Sequence, residues 1–306
     1  MADLTSERIA KDLKGGGYSS QDKIKTACKA WTDNSIFFPN KDDFLFEWIC
    51  SAFAKPNLNN PKDSCFQLDY WQLFSDLLEH YDSKLKSNEK KAAPVIHSNL
   101  MKCISTLLEY LYSKNAGNIE DKVSFLAAIN RFTALLFSEA FKTSYRPSFE
   151  QVSSTVDRLL TCFQLQIDTC LEDESNMVEK EALSNLCLIA ITLLRKYDAQ
   201  IIMAANQRKI FLSIVEKSLV LFLSVRRRIK FFSQAKYTAE ISTLITNIIC
   251  HILFHVDTVL EFTSILKEAS LTDSSTTQSN YVAKLFETLQ TMADNKADTE
   301  MILDVI

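Results

Sequence analysis

Residues that form tight turns are scarce in this chain, and their scarcity limits what it can fold into. Among 306 residues there are 4 glycines and 5 prolines, and three of the glycines are consecutive at positions 15–17. A β-sheet protein needs such residues at short intervals, because its strands are joined by turns that favour glycine, proline or asparagine. The sequence therefore predicts an all-α fold with long helices and brief polar connections.

Apolar residues recur every three or four positions through most of the chain, which is the period of an amphipathic helix. These patterns predict about a dozen helices and show no motif repeated at a fixed spacing. We interpret them as an irregular helical-repeat (HEAT/armadillo-like) solenoid, in which each helical pair buries one face on the next. The predicted helices span approximately residues 3–13, 22–31, 41–53, 66–86, 95–112, 118–142, 148–171, 182–196, 207–231, 235–255, 257–267, 280–293 and 298–306.

The glycine run separates the predicted domains. Residues 1–17 are predicted to form a short N-terminal helix and a glycine linker, and residues 18–306 a single α-solenoid domain. A phosphate-binding loop is the alternative for the glycines, but no strand precedes them and no Gly-Lys-Ser/Thr follows. Because the chain ends on an apolar helical pattern at 301–306, we expect it to be the N-terminal fragment of a longer protein.

Charge, cysteine usage and hydropathy favour a protein of the cytosol or nucleus. The net charge of −4 predicts that any nucleic-acid contact is a local patch, since proteins that wrap nucleic acid are usually basic. The 8 cysteines form no CxxC pair and mostly lie in apolar helical context, as buried thiols do in a reducing compartment. No signal peptide opens the chain, and the apolar run 210–225 is interrupted by charges, so no membrane span is predicted.

Two helix starts can be predicted from capping chemistry. Ser148 and Gln151 have the spacing of a capping box, in which each side chain satisfies a backbone N–H of the other residue. Asn40 is expected to cap a helix with its side chain, and Asp42 and Asp43 then lie in the first turn, where the helix dipole favours negative charge.

The segment from residue 22 to residue 53 has the most distinctive order of residues in the chain. Physically it is two short amphipathic helices joined by a Pro-Asn turn. Its distinctive residues are, in order, Asp22-Lys23-Ile24-Lys25, Ala30-Trp31, an aromatic residue before Pro39-Asn40-Lys41 and an acid after it, then Leu45 and Trp48.

This order resembles the N-terminal signature of the nucleolar pre-ribosomal-associated protein 2 (unhealthy ribosome biogenesis protein 2) family over about residues 20–54. Members of that family are large helical scaffold proteins of early 60S ribosome assembly. The resemblance implies a non-catalytic scaffold of the nucleus and nucleolus that supports pre-ribosome assembly and pre-rRNA processing through protein–protein contacts. The partners it implies are a very large helical pre-ribosome scaffold protein and other early 60S assembly factors, including a DEAD-box helicase, with pre-rRNA close by.

The signature residues are interpreted as structural. Ala30, Trp31, Leu45 and Trp48 are expected to pack between the two helices of the segment. The N-terminal third contains an aromatic cluster, whose members are Trp31, Phe37, Phe38, Phe44, Phe46, Trp48 and Trp71, and core packing between the first helices is its expected main role. Phe44 and Phe46 lie about 200° apart on a helix, so both cannot face inward, and we expect part of this aromatic cluster to be exposed toward a partner. The signature comprises Trp31, Pro39, Asn40, Lys41, Leu45 and Trp48.

A basic cluster near residue 230 is the main concentration of charge. Residues 208–236 contain eight Lys/Arg and one acid, a net charge of +7 in a chain of −4. This cluster is interpreted as a solvated helix end, a site for an acidic protein partner, or an RNA-phosphate site; an import signal is less favoured because the cluster is embedded between apolar helices. The candidate partner-binding or RNA-binding residues are Arg226, Arg227, Arg228, Lys230 and Lys236.

No catalytic, cofactor or metal site is predicted. His251 and His255 are four residues apart on one helix, but no glutamate follows the first histidine, so the metalloprotease pattern fails and a core role is favoured. The chain has no nucleophile signature and no cofactor fingerprint. Two alternatives to a ribosome-assembly scaffold therefore stay open: direct pre-rRNA binding through residues 226–236, and a generic helical-repeat adaptor outside the nucleolus.

Overall fold

The structure, a computed structural model, describes residues 6–54, 56, 60, 62–89, 92–97, 99–113, 119–172 and 177–197. Within these ranges the chain forms eight α-helices and two short 3₁₀ helices and contains no strand, which confirms the all-α prediction. The 3₁₀ helices are Ser64–Phe66 and Glu139–Phe141. The α-helices are α1 (Ser6–Lys14), α2 (Ser20–Thr32), α3 (Lys41–Ala54), α4 (Leu68–Lys86), α5 (Leu100–Leu111), α6 (Ile119–Leu136), α7 (Phe149–Glu172) and α8 (Met177–Tyr197).

The chain divides into two compact units, Met1–Thr155 and Val156–Ile306. The first unit contains α1 to α6 and the first turns of α7. Inside it, α1 packs against α2 and buries Ile9 and Leu13. In the second unit the structure describes the rest of α7 and α8. The domain division predicted at residues 17 and 18 stays a prediction.

Helix α4 lies at the centre of the first unit because it is apolar on more than one side. It packs most extensively against α6 and also contacts α2 and α3. The rings of Trp71 and Phe74 each lie 5.1 Å from the ring of Phe132 in α6. On the α3 side, the ring of Phe53 lies 4.8 Å from Trp71 and that of Phe46 lies 5.6 Å from Phe74. These aromatic contacts form the core of the unit.

Capping chemistry fixes several helix starts. The Ser19 hydroxyl accepts a hydrogen bond from Asp22 N at 3.2 Å and begins α2. The predicted capping box is confirmed: Ser148 N donates to Gln151 Oε1 at 2.9 Å, and Gln151 N donates to Ser148 Oγ at 3.3 Å. Together these bonds fix the chain as it enters α7.

Two helices are shorter in the structure than the sequence pattern predicts. Helix α5 begins at Leu100 rather than near residue 95, and in the segment before it Ile96 N donates to Ser144 O at 2.9 Å instead of to a carbonyl of the same helix. Pro94 in that segment also disfavours helix in the residue before it. Helix α6 ends at Leu136 rather than near residue 142, and a 3₁₀ turn follows it.

A polar contact joins α7 and α8 in the second unit. Gln166, which is fully buried, donates from Nε2 to Glu179 O at 3.0 Å and to the Glu179 carboxylate. Buried polar groups of this kind are stable when hydrogen-bonded. Helix α8 begins at Met177, five residues before the predicted start at residue 182.

The predicted helices after residue 197 lie outside the described residues. Among the described helices, none is long and apolar enough to cross a membrane. Six of the cysteines in the described ranges are free thiols: Cys28, Cys50, Cys65, Cys103, Cys162 and Cys187.

Candidate functional site

Trp31 and Lys41, two of the signature residues, hold the ends of α2 and α3 together. Lys41 Nζ donates to Trp31 O at 3.0 Å and lies 5.7 Å from the centre of the Trp31 ring, close enough for a cation–π contact. The edge-to-face contact between Trp31 and His80 at 5.2 Å connects the same point to α4. These two residues therefore lock the connection between the signature helices onto the central helix.

Trp48 joins α3 to both α1 and α4. Its indole Nε1 donates to Leu13 O at 3.2 Å, and its ring stacks on Tyr70 at 5.6 Å and 27°. The Tyr70 hydroxyl in turn donates to Ser20 O at 2.9 Å, at the start of α2. Leu45 on the same helix is fully buried. Leu45 is thus part of the core, whereas the hydrogen bond and the ring contact of Trp48 are with α1 and α4 rather than with α2, the helix against which the sequence predicts it to pack.

The turn before α3 differs from the prediction for Asn40. Asn40 has a φ of 51°, in the left-handed region that asparagine tolerates better than most residues, whereas a side-chain cap has extended geometry. Its backbone carbonyl accepts from Phe44 N at 3.0 Å. Asn40 thus forms a left-handed backbone turn directly after the exposed Pro39. The prediction that its side chain caps the helix is wrong.

The first turn of α3 contains an acidic cluster that faces the end of α4. Asp42 and Asp43 lie in that turn, as predicted. Lys84 Nζ donates to Asp42 at 2.9 Å and His80 Nε2 lies 3.6 Å from the same carboxylate. The Tyr81 hydroxyl donates to Asp43, and burial together with this acceptor raises the pKa of Tyr81 far above its ordinary value. The two aspartates therefore link α3 to α4, one through the neutral phenol of Tyr81 and the other through the ammonium of Lys84.

A cleft of about 430 Å³ opens between the α1–α2 turn, α3 and the segment before α4. Its walls combine aromatic rings with charges of both signs. Several of its hydroxyl groups already donate within the protein, Ser64 Oγ to Ala52 O at 2.8 Å and Ser51 Oγ to Glu47 O at 2.9 Å. The lining residues are Leu13, Lys14, Ser20, Lys23, Phe44, Glu47, Trp48, Ser51, Ala52, Asp63, Ser64 and Tyr70.

The loop of residues 33–40 presents an aromatic side chain to solvent beside that cleft. Phe37 is 85% exposed, the largest value among the described large apolar residues that are exposed. The next residue, Phe38, packs on Phe44 at 5.0 Å, and Phe44 lines the cleft. Phe44 therefore contacts the loop and also lines the cleft.

Hydrogen bonds at its start give the loop a defined shape. Ser35 N donates to Asp33 Oδ1 at 2.9 Å and the Ser35 hydroxyl donates to the same oxygen. Donation by Ser35 to the charged carboxylate lowers the pKa of Asp33. Such an Asx turn fixes the backbone before it reaches Phe37.

The exposed aromatic residue is not either of the two that the helical geometry singled out. Phe46 is 1% exposed and Phe44 is half-buried between Phe38 and the Lys14 ammonium, which lies 5.2 Å from its ring. The expectation that part of the aromatic cluster is exposed is confirmed through Phe37. A signal was present in the sequence, because Phe37 lies two residues before Pro39 and thus outside both helical patterns.

The remaining sequence-predicted candidates lie outside the described residues. These are the basic cluster Arg226, Arg227, Arg228, Lys230 and Lys236, and the histidine pair at 251 and 255. Within the described ranges, no group of three or more His, Cys, Asp or Glu side chains is arranged to hold a metal ion.

No protein-family model, no curated protein and no solved structure matches this chain.

Proposed function

We propose that this chain is a scaffold domain of early 60S ribosomal subunit biogenesis. In this role it acts through protein–protein contacts during pre-ribosome assembly and pre-rRNA processing, and it catalyses no reaction. The observation that carries the proposal is the order of residues from Asp22 to Trp48, which resembles the signature of the nucleolar pre-ribosomal-associated protein 2 family. The all-helical character of the described residues is what such a scaffold requires.

The architecture proposed for the whole chain is an irregular HEAT/armadillo-like solenoid of about a dozen helices. Support comes from the sequential packing of the first four helices, where α1 packs on α2, α2 on α3 and α3 on α4, although the most extensive contact, between α4 and α6, skips α5. Each helix of such an array buries apolar surface on its neighbour, which leaves long outer faces for partners.

The proposed partners are a very large helical pre-ribosome scaffold protein and other early 60S assembly factors, including a DEAD-box helicase, in the nucleolus. The cleft beside α3 offers such partners an aromatic contact surface, lined by Phe44, Trp48 and Tyr70. Aromatic side chains are common energetic anchors of protein interfaces.

Affinity purification of the tagged chain, with and without nuclease, tests this proposal. We expect early 60S assembly factors to co-purify in both samples, because contacts between proteins survive removal of RNA. We also expect the tagged chain to concentrate in the nucleolus by fluorescence microscopy. Exclusion from the nucleolus, with no ribosome-assembly factor in the nuclease-treated sample, would refute the proposal and favour an adaptor with another location.

A further inference from the structure

In the first unit, the residues of α1 and α2 and the loop after them carry a net positive charge. The residues that follow, through α3 and α4, carry a net negative charge. Residues 6–41 contain seven Lys/Arg and four Asp/Glu, a net charge of +3, whereas residues 42–89 contain four Lys/Arg and nine Asp/Glu. Lys11, Lys25 and Lys29 are exposed and form no ion pair with other described residues. Lys11 and Lys25 are therefore available to an anionic ligand, and Lys29 is shared with the Asp33 carboxylate.

Contacts connect this charge to the exposed Phe37. Lys14 Nζ lies 5.2 Å from the centre of the Phe44 ring, and that ring lies 5.0 Å from Phe38, the neighbour of Phe37. Lys29 and Lys41 both act electrostatically on the carboxylate of Asp33, at the start of the same loop. Lys29 and Lys41 therefore act on the start of the loop, whereas Lys14 contacts Phe44, the ring on which Phe38 of the loop packs.

Phe37 is held in an exposed position by the structure around it. The Asp33–Ser35 turn fixes one end of the loop, and the bond from Lys41 Nζ to Trp31 O fixes the other. Phe38 packs on Phe44 between them. An aromatic ring presented on a fixed loop loses little conformational entropy when it meets a ligand.

The combination of lysine and an exposed ring favours a nucleic acid over a protein as the ligand. Lysine is depleted in protein–protein interfaces, whereas it is a common contact for phosphate groups. An aromatic ring stacks on any base that is free of its neighbours, as bases are in a single strand. Glu47 and Asp63 in the cleft would repel phosphates, so the strand would cross the loop and α1–α2 rather than fill the cleft.

We propose that Phe37, with Lys14, Lys29 and Lys41, forms a binding surface for single-stranded nucleic acid, in which the ring stacks on a base and the lysines contact phosphates. This surface is separate from the basic cluster at 226–236. It does not depend on the family resemblance, because it follows from the contacts around the loop.

The test measures binding of the 306-residue chain to a fluorescein-labelled 12-nucleotide oligouridine and to the matching oligothymidine by fluorescence anisotropy. Both the natural chain and a variant with Arg226, Arg227 and Arg228 replaced by Ala are used, so that the second cluster is accounted for. We expect Phe37→Ala to weaken binding about tenfold by loss of stacking, and Phe37→Trp to retain it. Equal loss with both strands assigns the surface to single strands in general, and a larger loss with oligouridine assigns it to RNA.

Matched lysine variants test the phosphate contacts. Lys29→Glu is expected to weaken binding and to reduce the slope of log K against log salt by about 0.7 or more. Lys102→Glu makes the same charge change on an exposed position of α5 and is expected to leave the affinity unchanged. Circular dichroism of each variant confirms that the helices are retained.

Three results would overturn the proposal. The first is the absence of binding to either strand at low salt. The second is an affinity that Phe37→Ala leaves unchanged in both backgrounds. The third is equal binding of a polyglutamate peptide of matched charge, which would indicate an acidic protein partner in place of nucleic acid.

Discussion

The inner face of α3 and the loop that precedes it are both rich in phenylalanine, yet they use it differently. On α3, Phe46 is 1% exposed and touches the rings of Phe74 and Tyr81 at 5.6 and 5.0 Å. In the loop, Phe37 is 85% exposed although its backbone is held in place. The difference shows that the aromatic content of this segment serves stability on one side and is available for contact on the other.

The largest effect is expected on the buried side. Phe46→Ala should lower the free energy of unfolding by about 3–5 kcal/mol, because it removes apolar contacts and leaves a cavity in the core. Urea unfolding followed by circular dichroism measures this loss. A loss of less than about 0.5 kcal/mol, as for an exposed position, would contradict the burial of Phe46 in the aromatic core between α3 and α4.

The hydrogen bond between Tyr81 of α4 and Asp43 of α3 should contribute less to stability than the burial of Phe46 does. Tyr81→Phe removes the hydroxyl that donates to Asp43, and a hydrogen bond to a charged group contributes about 1.5–3 kcal/mol. We expect a loss of stability in that range, with the ring packing on Phe46 retained. Asp43→Asn is the matched partner change. If the double variant loses as much as the two single losses added together, the two groups do not interact.

A thiol beside α3 should make stability depend on alkaline pH. Cys103 is fully buried, its Sγ lies 3.9 Å from Phe53 O, and burial first, then the Asp63 charge, raises its pKa from about 9 to about 12. The unfolded thiol ionises first, so this contribution is complete below pH 9 and is lost as pH rises toward 12.

Unfolding between pH 8 and pH 10.5 measures that dependence. We expect the loss above pH 9 to reach at most about 1.4 kcal/mol per pH unit for this group. The slope should be shallower in Cys103→Ala, which cannot titrate there. Identical slopes in the two proteins would show that the thiol is not shielded by the α3 core.

The start of α7 offers a smaller and purely local effect. Ser148→Ala removes half of the capping box and should cost about 1 kcal/mol, while Ser148→Asp should recover most of it. Thermal unfolding of the two variants compares them directly. Equal losses in both would mean that the hydroxyl contributes little to the start of the helix.

Much of the fold follows from local chemistry that the sequence displays. The scarcity of glycine and proline predicts the all-α class, and Ser148 with Gln151 predicts the start of α7. The burial of Leu45 could also be predicted from its place on a helix. These features depend on residues close together in the chain, which is why they are visible without a structure.

Features that depend on distant residues are not visible in the same way. Trp48 donates to Leu13 O, 35 residues earlier, and Trp31 meets His80 of α4. The left-handed backbone of Asn40 replaces the predicted cap because the chain has to reverse between α2 and α3. Phe37 and Phe38 both lie outside the helical patterns, and only the structure shows that Phe38 packs on Phe44 while Phe37 is exposed.

The most direct test of this contrast is one variant, Phe37→Ala, measured for stability and for binding on the same preparation. We predict a free energy of unfolding within about 0.5 kcal/mol of the natural chain, as for other exposed positions. We predict at the same time an affinity for 12-nucleotide oligouridine that is about tenfold weaker. A loss of stability close to that of Phe46→Ala, or an unchanged affinity, would contradict the account.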